Sequence, residues 1–271
     1  MKAPMLALLV MLALPGAPAT NRSFDTAWSV LNYGVADNNS VRRAQAVRAL
    51  GLLKGNRHAE KLVEDALSDH NTDVRAVAAL TLGRLEAHSA IPKLKQALQD
   101  QEVKVVISAA DALYELKSPA AFDVYYAMLT GQRKSSEGIV ESQMDRLKDP
   151  KAVEKMAFET GIGFVPFGSI GYEAWTIITH DDSSMVRAAA ALKLANDPDP
   201  KSAKALVEAC KDDKWQIRAA AAEAIAKRGD TRLLHVLTPL LNDPTDAVRY
   251  ESAASLIWLS QHPHKTRGFQ R

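Results

Sequence analysis

Cysteine is almost missing from this chain: Cys210 is the single one in 271 residues. No internal disulfide can form, so stability has to come from packing, even in an oxidising compartment. Aromatic residues make up only 6% of the chain, and no stretch alternates apolar and polar residues for long enough to read as a strand. An excess of either charge is lacking too. The 34 basic and 32 acidic residues leave a net charge of +2, which provides no electrostatic footprint for nucleic acid. No apolar run reaches the roughly 20 residues that a membrane-crossing helix needs.

Chemical motifs are equally scarce. The seven histidines share no common position in the repeat described below, and none sits in an HExxH or CxxC arrangement, so no metal site is expected. His262 and His264 are two apart in a stretch, 260–271, that reads as a basic flexible tail, a weak pattern for a metal. Gly161-Ile-Gly-Phe-Val-Pro166 is not a dinucleotide fingerprint, because proline replaces the third glycine and no strand precedes it. No cofactor is expected and no catalytic residue is assigned.

The first residues do carry a signal. Lys2 is followed by ten apolar residues, Met5 to Leu14, and by Ala17-Pro18-Ala19. A short positive region, a short apolar region and small residues before a cleavage point describe a secretory signal peptide, residues 1–19, cut after Ala19. Its removal takes away one charge, Lys2, so the mature chain stays close to neutral. The expectation is an exported protein, periplasmic or secreted.

What the sequence has in abundance is self-similarity. The stretches "DVRAVAALTLGRL" (73–85), "MVRAAAALKLAND" (185–197), "QIRAAAAEAIAKR" (216–228) and "AVRYESAASLIWL" (247–259) share an apolar residue, an arginine, alanines at helical spacing and a large apolar residue. That last position reads Leu50, Leu82, Leu113, Met144, Leu194, Ile225 and Leu256. Neighbours are 31 or 32 apart except for one step of 50. A second apolar position ends the preceding helix of each unit: Val35, Leu67, Leu98, Leu129, Thr179, Cys210, Leu241. Cys210 therefore stands in a leucine position and reads as a packing residue. Ser118-Pro119, Asp149-Pro150 and Asp199-Pro200 look like helix starts with proline at the first position. The chain is thus expected to be all-α, about seven two-helix units of roughly 31 residues. One such unit cannot bury its apolar face alone, whereas stacking covers it on both sides.

A polar pair repeats along with the apolar positions: Asp37 with Arg43, Asp69 with Arg75, Asp181 with Arg187, Asp212 with Arg218, and Asp243 with Arg249. Each aspartate could cap the following helix and accept a charge-assisted bond from its own arginine or a neighbouring one. Such regularity reads as scaffold. On the within-unit pairing, losing Arg218 would strand Asp212. The third unit keeps Asp100 but has Val106 in the arginine position, and the fourth has Gly131 and Glu137.

This combination of aspartate, apolar-Arg and an alanine-rich helix resembles HEAT repeats, and its short period is similar to the repeats of phycobilisome-lyase-like HEAT proteins. The resemblance covers residues 24 to 259. It implies an α-solenoid, curved and right-handed, with the arginine-bearing helices on the concave face. The column Leu52, Arg84, Glu115, Arg146, Asn196, Lys227 and Trp258 is then expected to be exposed there, a mixture that does not favour nucleic acid. Proteins of the deoxyhypusine-hydroxylase type carry His-Glu dipeptides, and this chain has none.

The long step marks 19 inserted residues. Units one to four occupy 20–148, the insertion with its Gly/aromatic loop 149–168, and units five to seven 169–259. Nine of the sixteen aromatic residues lie between Tyr114 and Trp175. Two readings of this seam stand side by side: a plug folded over the stack, or a partner-binding anchor formed by Tyr126, Phe164, Phe167, Tyr172 and Trp175. A membrane-surface wedge is a third, and no basic cluster beside the loop supports it. The expected function is an exported, non-enzymatic scaffold that binds a protein through the concave face and the seam at 158–175. The alternatives are an enzyme or lyase-like accessory protein with a site between repeats, drawing on Asp111, Glu115, Glu173 and His180, or a membrane-surface adaptor.

Overall fold

The computed structural model describes residues 19–130 and 184–262. Within them the chain forms twelve α-helices and no strand. In the N-terminal part, helices α1 (Ala19–Val35) and α2 (Ser40–Leu50) form the first unit. Helices α3 (Arg57–Ala66) and α4 (Thr72–Arg84) form the second, and α5 (Ile91–Ala97) and α6 (Val103–Glu115) the third; α7 (Ala120–Thr130) follows. In the C-terminal part come α8 (Ser184–Leu194), α9 (Pro200–Ala209) with α10 (Trp215–Arg228), and α11 (Leu234–Leu240) with α12 (Asp246–Gln261). The expected all-α solenoid of two-helix repeats is the observed architecture.

Local chemistry sets the helix boundaries. Asn39 and Asn71 cap α2 and α4 by accepting from the backbone N–H groups of Val41 and Arg42, and of Asp73 and Val74. Asp199 caps α9 by accepting from the Lys201 amide, with Pro200 at the first helical position, as its sequence suggests. Helix α10 ends on Gly229, whose φ of 72° lies in the left-handed region that glycine enters without strain. Helix α7 starts one residue after Pro119, and Ser118 contributes its backbone carbonyl to the Ala121 amide.

The repeating apolar positions make the core. Leu50, Leu82, Leu113, Ile225 and Leu256 are fully or almost fully buried, and Leu194 packs against them partly covered. Each large aliphatic side chain taken from water contributes about 2 kcal/mol. Cys210 is buried among them and burial pushes its thiol up to about 12, so it stays protonated and inert as a packing residue.

The spatial order of the units differs from a simple run of one to seven. The second helices form one continuous row in the order α6, α4, α2, α12, α10, α8. Helix α12, the last of the described helices, lies between α2 and α10, and α1 packs along it as well. The seventh unit therefore stacks on the first. Gly34 of α1 makes this approach possible: a Cβ there would lie 2.5 Å from the ring of Tyr250 on α12 and 2.7 Å from the Ala46 Cβ. Tyr250 stands where other units carry alanine after the ladder arginine. Arg42 on α2 bonds to Asp246 on α12 at 3.0 Å, and the Asn56 amide reaches Gln261 at 3.5 Å.

Candidate functional site

The Asp/Arg pairs form a ladder, but its rungs run between units, not within them. Arg43 binds both carboxylate oxygens of Asp69 at 2.8 Å. Arg75 binds Asp100 at 2.7 and 3.0 Å, and Arg218 binds Asp243 at 2.7 and 2.8 Å. Arg187 pairs with Asp212 in the same sense. Each of Arg43, Arg75 and Arg218 points its remaining guanidinium nitrogen back to the backbone carbonyl of its own unit's aspartate: Asp37 at 2.9 Å, Asp69 at 2.9 Å and Asp212 at 2.8 Å. This corrects the pairing expected from sequence, in which Arg218 was the charge partner of Asp212. A helix-end arginine reaches forward with its fork because the next unit's loop lies under it, whereas its own aspartate presents only a carbonyl.

Neither do the aspartates cap the following helices. Asp69, Asp100, Asp212 and Asp243 each accept from the amide two residues on, at 2.8 to 3.0 Å. They tighten the turn, and the residue whose amide they hold takes the N-cap position, where only Asn71 also accepts from the helix with its side chain. At the junction of units seven and one the ladder changes. Arg249 binds Asp246 and the Asp243 carbonyl, and Arg42 bridges Asp246 and Asp37. Asp181, the remaining ladder residue, lies outside the described residues.

The inner side of the row carries a second charged group that the repeat pattern does not announce. Glu223 on α10 and Glu251 on α12 are buried, at 7% and 6% exposure. Lys227 binds Glu223 at 2.7 Å. Arg48 on α2 comes to 3.9 Å from Glu251, and Arg84 on α4 to 3.9 Å from Glu223. In a flat row α4 and α10 would be about 30 Å apart, three helix spacings. Their side chains meet because the row bends toward this face. Burial, then the neighbouring Glu223 carboxylate, push the Glu251 carboxyl up to about 7, against the opposing pull of Arg48, Arg84 and Lys227. The signal for these residues was present in the sequence: a glutamate interrupts the alanine run in "RAAAAEAIAKR" and another occupies a small-residue position in "RYESAAS". Of the column expected to be exposed, Arg84 and Lys227 do face this group. Leu52 is buried at 8% exposure, because the neighbouring helix closes over it, and Trp258 is half-buried with its ring stacked on His262 at 3.7 Å.

At the α6–α7 end, aromatic residues remain on the surface. Tyr114, Phe122 and Tyr126 are 53%, 58% and 51% exposed. Tyr114 meets Phe122 and Tyr125 edge to face, with ring centroids 6.0 and 6.1 Å apart. Tyr125 turns inward and donates to Asp111 at 2.6 Å. Burial raises the Asp111 carboxyl, and Glu115, one turn on, is exposed. Of the aromatic residues expected to bind a partner, Tyr126 is here; Phe164, Phe167, Tyr172 and Trp175 lie outside the described residues, as do Glu173, His180, His264, the insertion and the N-terminal apolar segment. Among the described residues no helix is long and apolar enough to cross a membrane.

Two segments, 30–114 and 173–257, match the family model for HEAT repeats and together span more than half of the chain. The chain belongs to the HEAT-repeat family. The two matched segments of this HEAT protein fall on either side of the long step between units four and five. No curated protein matches the chain. Among solved structures it is similar to human deoxyhypusine hydroxylase in complex with glycerol, 18% identical over 89% of this chain and 98% of that one, with a TM-score of 0.34. It is also similar to the complex of CpcE and CpcF of phycocyanin lyase from Nostoc sp. PCC7120, 18% identical over 92% and 98%, with a TM-score of 0.33. Scores of this size transfer no chemistry from either structure to this HEAT protein.

Proposed function

We propose that this chain is an exported, non-enzymatic scaffold that binds a protein partner through the inner face of the helix row and the aromatic surface at its α6–α7 end. The observation that carries the reading is the exposed group Tyr114, Phe122 and Tyr126. Aromatic side chains provide large, rigid contact area and dominate binding hot spots. Three on one short stretch of surface are more than an isolated fold needs. HEAT repeats supply the frame, since stacked units present extended faces suited to partners. Export is the reading of the N-terminal sequence, with a charged residue, a short apolar run and Ala17-Pro18-Ala19. The near-neutral charge and the mixed inner face favour protein over nucleic acid, and neither cofactor nor membrane anchoring is part of the proposal.

The experiment is photo-cross-linking from position 122 or 126 in the native compartment, followed by mass spectrometry, with Phe122→Ala and Tyr126→Ala measured in parallel. A single dominant protein adduct, lost by tenfold or more in the double variant while the melting temperature stays within a few degrees, is the expected result. Adducts confined to this chain's own residues, together with a large fall in melting temperature, would make the group a structural plug.

A further inference from the structure

The inner charged group joins side chains that are far apart in the sequence. Glu223 and Glu251 belong to the sixth and seventh units, whereas Arg48 and Arg84 belong to the first and second. The only covalent route between these two sets runs through residues 85–222. The group therefore spans the junction between the first and seventh units, which Gly34 against Tyr250 and Arg42 against Asp246 also form. Its geometry is unlike that of the ladder. Ladder rungs are paired forks at 2.7 to 3.0 Å, whereas Arg48–Glu251 and Arg84–Glu223 are 3.9 Å contacts. Both carboxyls are buried; Glu223 also has Lys227 of its own helix at 2.7 Å, whereas the nearest cation to Glu251 is Arg48 at 3.9 Å.

We propose that Glu223, Glu251, Arg48 and Arg84 form a proton-operated latch, which holds the first and seventh units of the stack together and loosens when Glu251 loses its proton.

The charges around Glu251 are Glu223 and Lys227 from α10, Arg48 from α2 and Arg84 from α4. Helices α1 and α11 also pack against α12; their Arg22, Asp25, Tyr33 and His235 are not among the charges that act most on Glu251. Burial and Glu223 oppose ionisation in the closed junction. Once the junction opens, the Glu251 carboxyl returns to water and to its ordinary range. The closed form thus binds the proton more tightly than the open one. Closure is favoured in full below the ordinary glutamate value of 4.5 and loses that contribution as pH rises to about 7. The latch is closed in mild acid and slack in mild alkali.

Hydrogen exchange of the full chain tests this, with rates corrected for the intrinsic effect of pH. Protection of amides in α1 and α12 should fall by about tenfold or more between pH 5.5 and pH 8, while amides in α4 and α6 keep theirs. Glu251→Gln should hold the protection high at both pH values. If that variant does not fold, Glu223→Gln reads the same group: without the facing charge, the midpoint of the change should move to lower pH. Protection in α1 and α12 that stays constant with pH in the native chain would overturn the proposal. So would a loss that Glu251→Gln, or in its absence Glu223→Gln, leaves unaltered, or one shared equally by α4 and α6.

Discussion

Arg43, Arg75 and Arg218 each divide their donors between two units, the forked pair to the next unit's carboxylate and the third nitrogen to their own unit's loop carbonyl. Removing one side chain therefore frees groups on both sides of a stacking interface. In Arg218→Ala the Asp243 carboxylate, 8% exposed as a residue, would lose its fork, and the Asp212 carbonyl would lose its donor. Breaking a buried pair from one side costs about 3–5 kcal/mol, so chemical denaturation should show a loss of about 3 kcal/mol. An exposed arginine such as Arg232, paired only with Asp230 on the same loop, should lose far less when changed to alanine. The rung also has a definite pH sense. Burial alone would raise the Asp243 carboxyl, but the Arg218 bonds and the Thr245 amide more than offset it and hold it below the ordinary 3.8. Its stabilisation is present above that value and lost as pH falls through the lower folded one. The residue types and their spacing were legible from the sequence because they recur in five units. The partner of each was not, because a 31-residue repeat places the unit's own aspartate and the next one at comparable reach, and only the stacking offset decides between them.

Between helices, the determining pair is Gly34 and Tyr250. Alanine in place of glycine usually stabilises a helix by about 0.5–1 kcal/mol. Here the added Cβ would meet a ring carbon at 2.5 Å, well inside contact distance, so the overpacking cost of about 1–3 kcal/mol should win. Gly34→Ala is expected to lower the unfolding midpoint, and Gly34→Ala with Tyr250→Ala should recover part of the loss relative to the sum of the two single changes. Additive single effects would mean that the two residues do not meet. The helices themselves could be read from alanine-rich periodicity and the Asp199-Pro200 start, whereas the capping role of Asn39 and Asn71 could not. Nor could the contact of α1 with α12, because a lone glycine near a helix end and a lone tyrosine in an alanine position become a complementary pair only when the first and last units are brought together.

For the molecule as a whole, the repeat period was enough to establish a solenoid, and the HEAT resemblance was correct. The order in the stack is another matter. Periodicity describes each unit's two faces, and the seventh unit's outer face is as apolar as any inner one. Nothing in the pattern says that it will be covered by the first unit. The inner charged group followed the same rule: Arg48, Arg84, Glu223 and Glu251 each look like a solvated helix residue until the row bends and closes at α2 and α12. Of the candidate partner surface, the sequence pointed to aromatic enrichment from Tyr114 onward, and the exposure of Tyr114, Phe122 and Tyr126 gives that enrichment a place at the outer end of the row. The same closure makes the first and seventh units neighbours.

That order is open to direct measurement. Asn56 and Gln261 approach each other to 3.5 Å across the junction, and the native Cys210 is buried. The doubly substituted chain, Asn56→Cys with Gln261→Cys, should be joined by a short bis-maleimide into an intramolecular link between the second and seventh units, seen by mass spectrometry on the monomer at low protein concentration. Single modifications at each thiol without a link, or links found only between two chains, would contradict the stacking of the last unit on the first.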